Sequence, residues 1–137
     1  MPEGGAAFLS AKDADKPWIV EIARTLTDLG FSILATEGTA NALAAADITA
    51  EKLFKLADQQ SPNITDYMRD GKVSLLVNTP SGPTAREDEV RIRGEAILRG
   101  LPLITTEWGA RATIDGIAHM ADKDWDVTSL QEFFESI

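Results

Sequence analysis

Residues 31–42, FSILATEGTANA, hold the residue types best placed to bind an anion. The apolar run Phe31 to Ala35 reads as a strand, and an Ala-rich helix is expected from about Thr39 or Ala40. Thr36-Glu37-Gly38-Thr39 lies between them. N–H groups at a helix N-terminus lack intrahelical partners, and the helix dipole adds partial positive charge there. Gly38 lets a ligand approach the backbone, and the hydroxyls of Thr36 and Thr39 can donate hydrogen bonds. A second small-residue loop, Asn78-Thr79-Pro80-Ser81-Gly82, follows a second apolar run, Val73 to Val77. Two such loops suggest one shared phosphate or carboxylate site. Each also has a plainer reading, Thr as a helix cap and Ser81-Gly82-Pro83 as a surface turn.

Other elements must position these loops. Ala6 to Ser10 reads as the first strand. The charged stretch Lys12 to Lys16 then leads to Pro17, which suits a first helical turn. Ile19, Ile22, Ala23, Leu26 and Leu29 recur at helical spacing, and Gly30 stops that helix. Lys52 to Ala57 reads as a short strand or extended edge. Asn63, with Asp66 three residues on, caps a short helix ending near Gly71. Helices are expected over Glu87 to Arg99 and Trp108 to Met120, with a last strand at Leu101 to Thr105 between them. Ser129 to Glu132 resembles a capping box that opens a terminal helix.

Alternating strands and helices define an α/β class: a three-layer sandwich with a parallel sheet of about five strands and helices on both faces. In such sheets ligands sit beyond the carboxyl ends of the strands. That edge would gather Lys16, Thr36 to Thr39 and Ser81-Gly82 around one phosphate. A lysine at a helix start opposes the dipole, which favours a ligand contact for Lys16. Asp88, read as near the start of the Glu87 helix, suits either the dipole or a ribose or base. Thr105 and Thr106 end the last strand at the same edge, where they contact a ligand or partner, or cap the next helix.

The 137 residues fit one domain, with a core over about 5–120 and a tail over 121–137. With 44% hydrophobic and 26% charged residues the chain reads as folded. It has no cysteine, which excludes disulfides, thiolate catalysis and cysteine-ligated metals, and fits a cytoplasmic setting. A net charge of −9 argues against nucleic-acid binding. No apolar run is long enough for a membrane span, and the first residues do not have the pattern of a signal peptide. The sole histidine, His119, falls late in the last core helix, where packing or surface exposure is expected.

Ala7 to Ser10, Asp15-Lys16, Gly30-Phe31, Ala35 to Ala40, Ile64 with Asp66, Asp70-Gly71, Val77 to Gly82, Glu87-Asp88 and Ile92-Arg93 occur in one order. This set resembles the methylglyoxal-synthase-like domain at the C-terminus of the carbamoyl-phosphate synthase large subunit. The resemblance implies an allosteric domain that binds UMP or IMP at an overlapping site and has no catalytic activity alone. It places Ser10, Lys16, Thr36, Gly38, Thr39, Ser81 and Gly82 on the phosphate side, with Lys55 as a second lysine after a one-residue shift. Asn78, Thr79 and Asp88 fall on the nucleoside side, and Thr105 near an ornithine or interface contact. Pro80, Pro83 and Thr84 depart from the bacterial pattern and leave a less basic rim. The Trp and extra Asn residues of N-acetylglutamate-binding relatives are missing, which ranks a nucleotide first.

The implied partners are the catalytic body of the large subunit and, through it, a glutaminase small subunit. No cofactor is implied for the domain itself, and the parent uses ATP with Mg or Mn. The alternatives are a free-standing methylglyoxal synthase acting on dihydroxyacetone phosphate, or an interaction module without a ligand. The synthase pattern has histidines after the first strand and in the loop after the fourth. Ser10 to Lys16 and Pro80 to Asp88 contain none.

Overall fold

Four short, mainly apolar segments and a charged edge strand pair side by side, because an apolar strand can bury both faces only when helices cover both sides of its sheet. The computed structural model describes residues 5–54, 60, 62–79 and 82–119. The strands are β1 (Ala6–Ala11), β2 (Ser32–Thr36), β3 (Glu51–Leu53), β4 (Leu75–Thr79) and β5 (Leu103–Ile104). All four pairings are parallel, in the order β3-β2-β1-β4-β5. The helices are α1 (Lys16–Asp28), α2 (Glu37–Ala45), α3 (Ile64–Arg69), α4 (Gly82–Arg99) and α5 (Glu107–His119). The expected α/β sandwich with a five-stranded parallel sheet is therefore present. Lys55 and the expected terminal helix at Ser129 lie outside the described residues.

Side-chain alternation divides the core in two. Leu9, Ala35 and Val77 point to one face, where Ile19 and Leu26 of α1, Leu43 of α2 and Ile114 of α5 cover them. Phe8, Leu34 and Leu76 point to the other, under Ile64 and Met68 of α3 and Ile92 and Ala96 of α4. The central strand β1 is buried over Ala6 to Leu9, as its uninterrupted apolar run requires. At the edge strand β3, Glu51 accepts a hydrogen bond from the Tyr67 phenol. That bond, aided by burial and the carboxylate charge, raises the phenol pKa above its ordinary value.

Several sequence-based boundaries shift; α2, for one, opens at Glu37, so Glu37, Gly38 and Thr39 form its first turn and not a loop before it. The fourth strand is displaced two residues toward the C-terminus, and the last shortens to Leu103–Ile104. Helix α4 begins at Gly82, five residues before the expected Glu87. Its second residue is Pro83, whose fixed φ suits a first turn and whose missing N–H is not needed there. Asp88 therefore lies in the second turn of α4 and not at its start.

Four helices end in the same six-residue hydrogen-bond pattern. After α1, α3 and α4 the left-handed position is Gly30, Gly71 or Gly100, as the bond geometry favours. After α2 it is Asp47, at φ 63°, with Asp47 N–H donating to Ala44 and Ile48 N–H to Leu43. A side chain is strained at that φ, and a carboxylate opposes the negative end of the helix dipole. Asp47→Gly is expected to raise stability by about 0.5–1 kcal/mol, allowing for the greater unfolded-state entropy of glycine. An unchanged or lower midpoint in urea would show that the strain is absent.

Candidate functional site

The carboxyl ends of β1, β2 and β4 lie together, and the chain reverses direction across the sheet between β1 and β4. Such a switch point leaves a crevice beyond the strand ends. Helices α1, α2 and α4 each begin within a few residues of these ends, so three helix N-termini share one edge. Their aligned peptide dipoles put partial positive charge there, in a chain whose net charge is −9.

Register decides which side chains meet. Ser10 pairs with Asn78, and Leu9 pairs with Ala35, which sets Thr36 beside Ser10. Alternation points Thr36, Ser10 and Asn78 to the α3/α4 face, one step beyond Leu34, Phe8 and Leu76. The apolar layer thus ends in a row of two hydroxyls and an amide. Ser10 Oγ and Thr36 Oγ1 are 3.1 Å apart and share a hydrogen bond. Thr36 precedes α2 in extended conformation and makes no capping hydrogen bond. Its side chain leaves the first-turn N–H groups of α2 open to another acceptor.

Two threonines have a different task. The Ala11 N–H donates to Thr39 Oγ1 at 3.0 Å, and Thr39 is only 1% exposed. The Lys12 N–H donates to Thr79 Oγ1 at 3.0 Å and to the Thr79 carbonyl at 3.1 Å. Both side chains fasten the β1–α1 connection to neighbouring strands and helices. A buried N–H without an acceptor costs about 1–3 kcal/mol, so these hydroxyls hold the shape of the rim.

Lys16 opens α1 and reaches across to α2. A Cβ at Gly38 would lie in ordinary contact, 3.6 Å from Lys16 Nζ, so the ammonium sits beside the first turn of α2. Lys16 forms an ion pair with Asp13, whose carboxylate is almost wholly in solvent. Asp13 belongs to a single 3-10 turn, Asp13–Asp15, which is also tied down by Trp18 Nε1 donating to Asp15 at 3.1 Å. Sequence reasoning missed Asp13. The signal was present in its three-residue spacing from Lys16 within a charged run.

The structure therefore brings Ser10, Lys16, Thr36, Gly38, Thr39, Asn78 and Thr79 to one edge, and Gly82 begins α4 beside them. Ser81 lies outside the described residues. Thr105 leaves β5 one strand beyond β4, half-buried, and the next residue, Thr106, accepts from the Gly109 N–H at 3.0 Å as the cap of α5. His119 is the last residue of α5, about 20 Å of helix away from that edge. No helix among the described residues is long and apolar enough to cross a membrane.

A five-stranded parallel sheet in this order between two helix layers defines a class of three-layer α/β domains. Residues 18–105 match the family model described as the MGS-like domain, and the chain belongs to that family. It is 42% identical over 131 residues to a carbamoyl phosphate synthase large chain of Acidobacterium capsulatum, covering 96% of this chain and 12% of that one. The "C-terminal section" of the large chain of Methanocaldococcus jannaschii is 42% identical over 132 residues, covering 96% of this chain and 21% of that one. A chloroplastic arginine-specific large chain of Oryza sativa subsp. japonica is 36% identical, covering 99% and 12%. The chain thus spans less than a quarter of the length of these relatives. Among solved structures, a methylglyoxal synthase from Elizabethkingia anophelis superposes with a TM-score of 0.62 at 13% identity, covering 82% of this chain and 77% of that one. At that identity the likeness is one of fold.

Proposed function

We propose that this chain is the allosteric domain of a carbamoyl phosphate synthase large subunit, and that it binds a nucleoside monophosphate such as UMP or IMP at the β1/β2/β4 edge. The observation that carries the reading is the ammonium of Lys16 beside Gly38 at the start of α2. A phosphate placed there would meet a full positive charge, the open N–H groups of α2 and the Ser10–Thr36 hydroxyl pair. Asn78, next in the same row, offers both a donor and an acceptor to the ribose or base.

Regulation follows from differential binding. An effector that prefers one arrangement of the domain against a catalytic body shifts that equilibrium by its preference, about 1–3 kcal/mol in typical cases. ATP, divalent metal and the glutaminase partner would act on that body, and this chain would contribute control without chemistry. A free-standing synthase is disfavoured by the position of His119, the sole histidine, at the far end of α5. Proton abstraction with an imidazole electrophile needs that group at the strand-end site.

Calorimetric titration of the chain with UMP, then with IMP in competition, tests the reading. Saturable binding of one that the other displaces is the expected result. Absence of heat with both at millimolar concentration, or methylglyoxal formed from dihydroxyacetone phosphate, would overturn it.

A further inference from the structure

The phosphate end of the candidate site carries carboxylates as well as an ammonium. Lys16 pairs with Asp13, whose side chain is almost wholly in solvent. On its other side the ammonium meets the first turn of α2 at Gly38. The residue before Gly38 is Glu37, exposed and with no ion-pair partner among the described residues. A first-turn carboxylate suits the helix dipole, and it also takes up part of the positive field that a phosphate at that turn would use. The turn that carries Asp13 is anchored. Trp18 Nε1 donates to Asp15 at 3.1 Å, Lys12 and Asp15 form an ion pair at 3.8 Å, and the Lys12 N–H donates to Thr79.

The order of the sheet sets the direction in which a ligand lies. Strands β4 and β2 flank β1 on opposite sides, so Asn78 and the start of α2 mark the two ends of the row that Ser10 and Thr36 complete. The Asn78 side chain is buried, at 6% exposure, and makes no hydrogen bond among the described residues. A buried amide without partners is costly, so its place is with the polar sugar or base of the ligand. One phosphate then reaches Lys16 and the first turn of α2. A second and a third would run on past them, toward Glu37 and Asp13.

We infer that Asp13 and Glu37 form a carboxylate rim that limits the site to ligands ending in one phosphate group and turns away nucleoside di- and triphosphates, an inference that rests on the reading of this edge as a nucleotide site. An ammonium has three N–H donors in tetrahedral directions, and charge-assisted N···O contacts are about 2.7–2.9 Å long. A phosphate oxygen and an Asp13 oxygen bound to one Nζ therefore lie about 4–5 Å apart. Whether the two share the ammonium or the phosphate displaces the carboxylate, Asp13 stays on its anchored turn beside the path of a second phosphate. Each further phosphate adds negative charge where carboxylates already stand, and like charges placed together are strongly unfavourable. Among the described residues nearby, Lys12 and Lys16 are already paired with Asp15 and Asp13. Under the same reading the catalytic body consumes ATP, so a regulatory site open to triphosphates would fill with substrate.

Calorimetric titration of the chain with UMP and UTP, and with IMP and ITP, in EDTA to remove divalent metal, provides the test. The monophosphate of a pair should bind at least about tenfold more tightly than its triphosphate. Asp13→Asn with Glu37→Gln removes charge at two exposed positions and changes little else. In that variant the triphosphate should gain more than the monophosphate, and the ratio should fall to within about threefold. In the unaltered chain the ratio should also shrink as salt is raised. Equal affinities in the unaltered chain, or a ratio that survives intact in the double variant, would overturn the inference and leave the functional reading standing. No binding of any of these nucleotides would overturn that reading, and the inference with it.

Discussion

Lys16→Ala is expected to weaken nucleoside monophosphate binding about ten- to a hundredfold while the domain stays folded. A hydrogen bond to a charged group is worth roughly 1.5–3 kcal/mol, and each 1.4 kcal/mol is a factor of ten. The fold should tolerate the change, because a lysine in the first turn of α1 opposes the helix dipole and its ion pair with Asp13 is to an exposed carboxylate. The loss should therefore appear in the affinity and not in the thermal midpoint. Asp13→Asn gives the opposite sign. In the free domain Asp13 occupies the ammonium that a phosphate would claim. Removing that competitor should tighten binding a few-fold, and the gain should shrink as salt screens the pair. Titration calorimetry of both variants checks this, and wild-type affinity in Lys16→Ala would mean that the phosphate binds elsewhere.

Phe8→Ala is expected to have the largest effect on stability. Phe8 is 1% exposed on the central strand, where its ring sits between Leu34 and Leu76 beneath α3 and α4. Truncating a buried phenylalanine removes its transfer free energy and leaves a cavity, at about 3–5 kcal/mol in all. Domains of this size are stable by only about 5–15 kcal/mol. The midpoint of thermal unfolding should fall by about 10–20 °C. Phe8 also supports Ser10, two residues along the same face, so binding should weaken in whatever fraction remains folded. A drop of only a few degrees would show that the two helices can collapse into the vacated space.

Most of the architecture was legible because apolar periodicity and glycine stops are local signals. The run Ala6 to Leu9, the helical spacing of Ile19, Ile22 and Leu26, and Gly30, Gly71 and Gly100 each report on their own neighbourhood. Asp47 gave no such signal, because an aspartate in the left-handed position looks like any loop residue until the hydrogen bonds are seen. The start of α4 was misread for a related reason. A proline can end a turn or begin a helix, and only the start of α4 at Gly82, three positions after the end of β4, chooses between them.

The types of the site residues, and the strand–turn–helix punctuation around them, follow from the sequence alone, because local backbone preference and alternation depend on near neighbours. Which of those residues meet was decided by the sheet. Strand register set Thr36, Ser10 and Asn78 in one row and bound Thr39 and Thr79 into the rim. Packing of α1 against α2 laid Lys16 over Gly38, twenty-two positions apart in the chain. Register and packing are long-range outcomes of burying both faces of one sheet, and no window of sequence contains them.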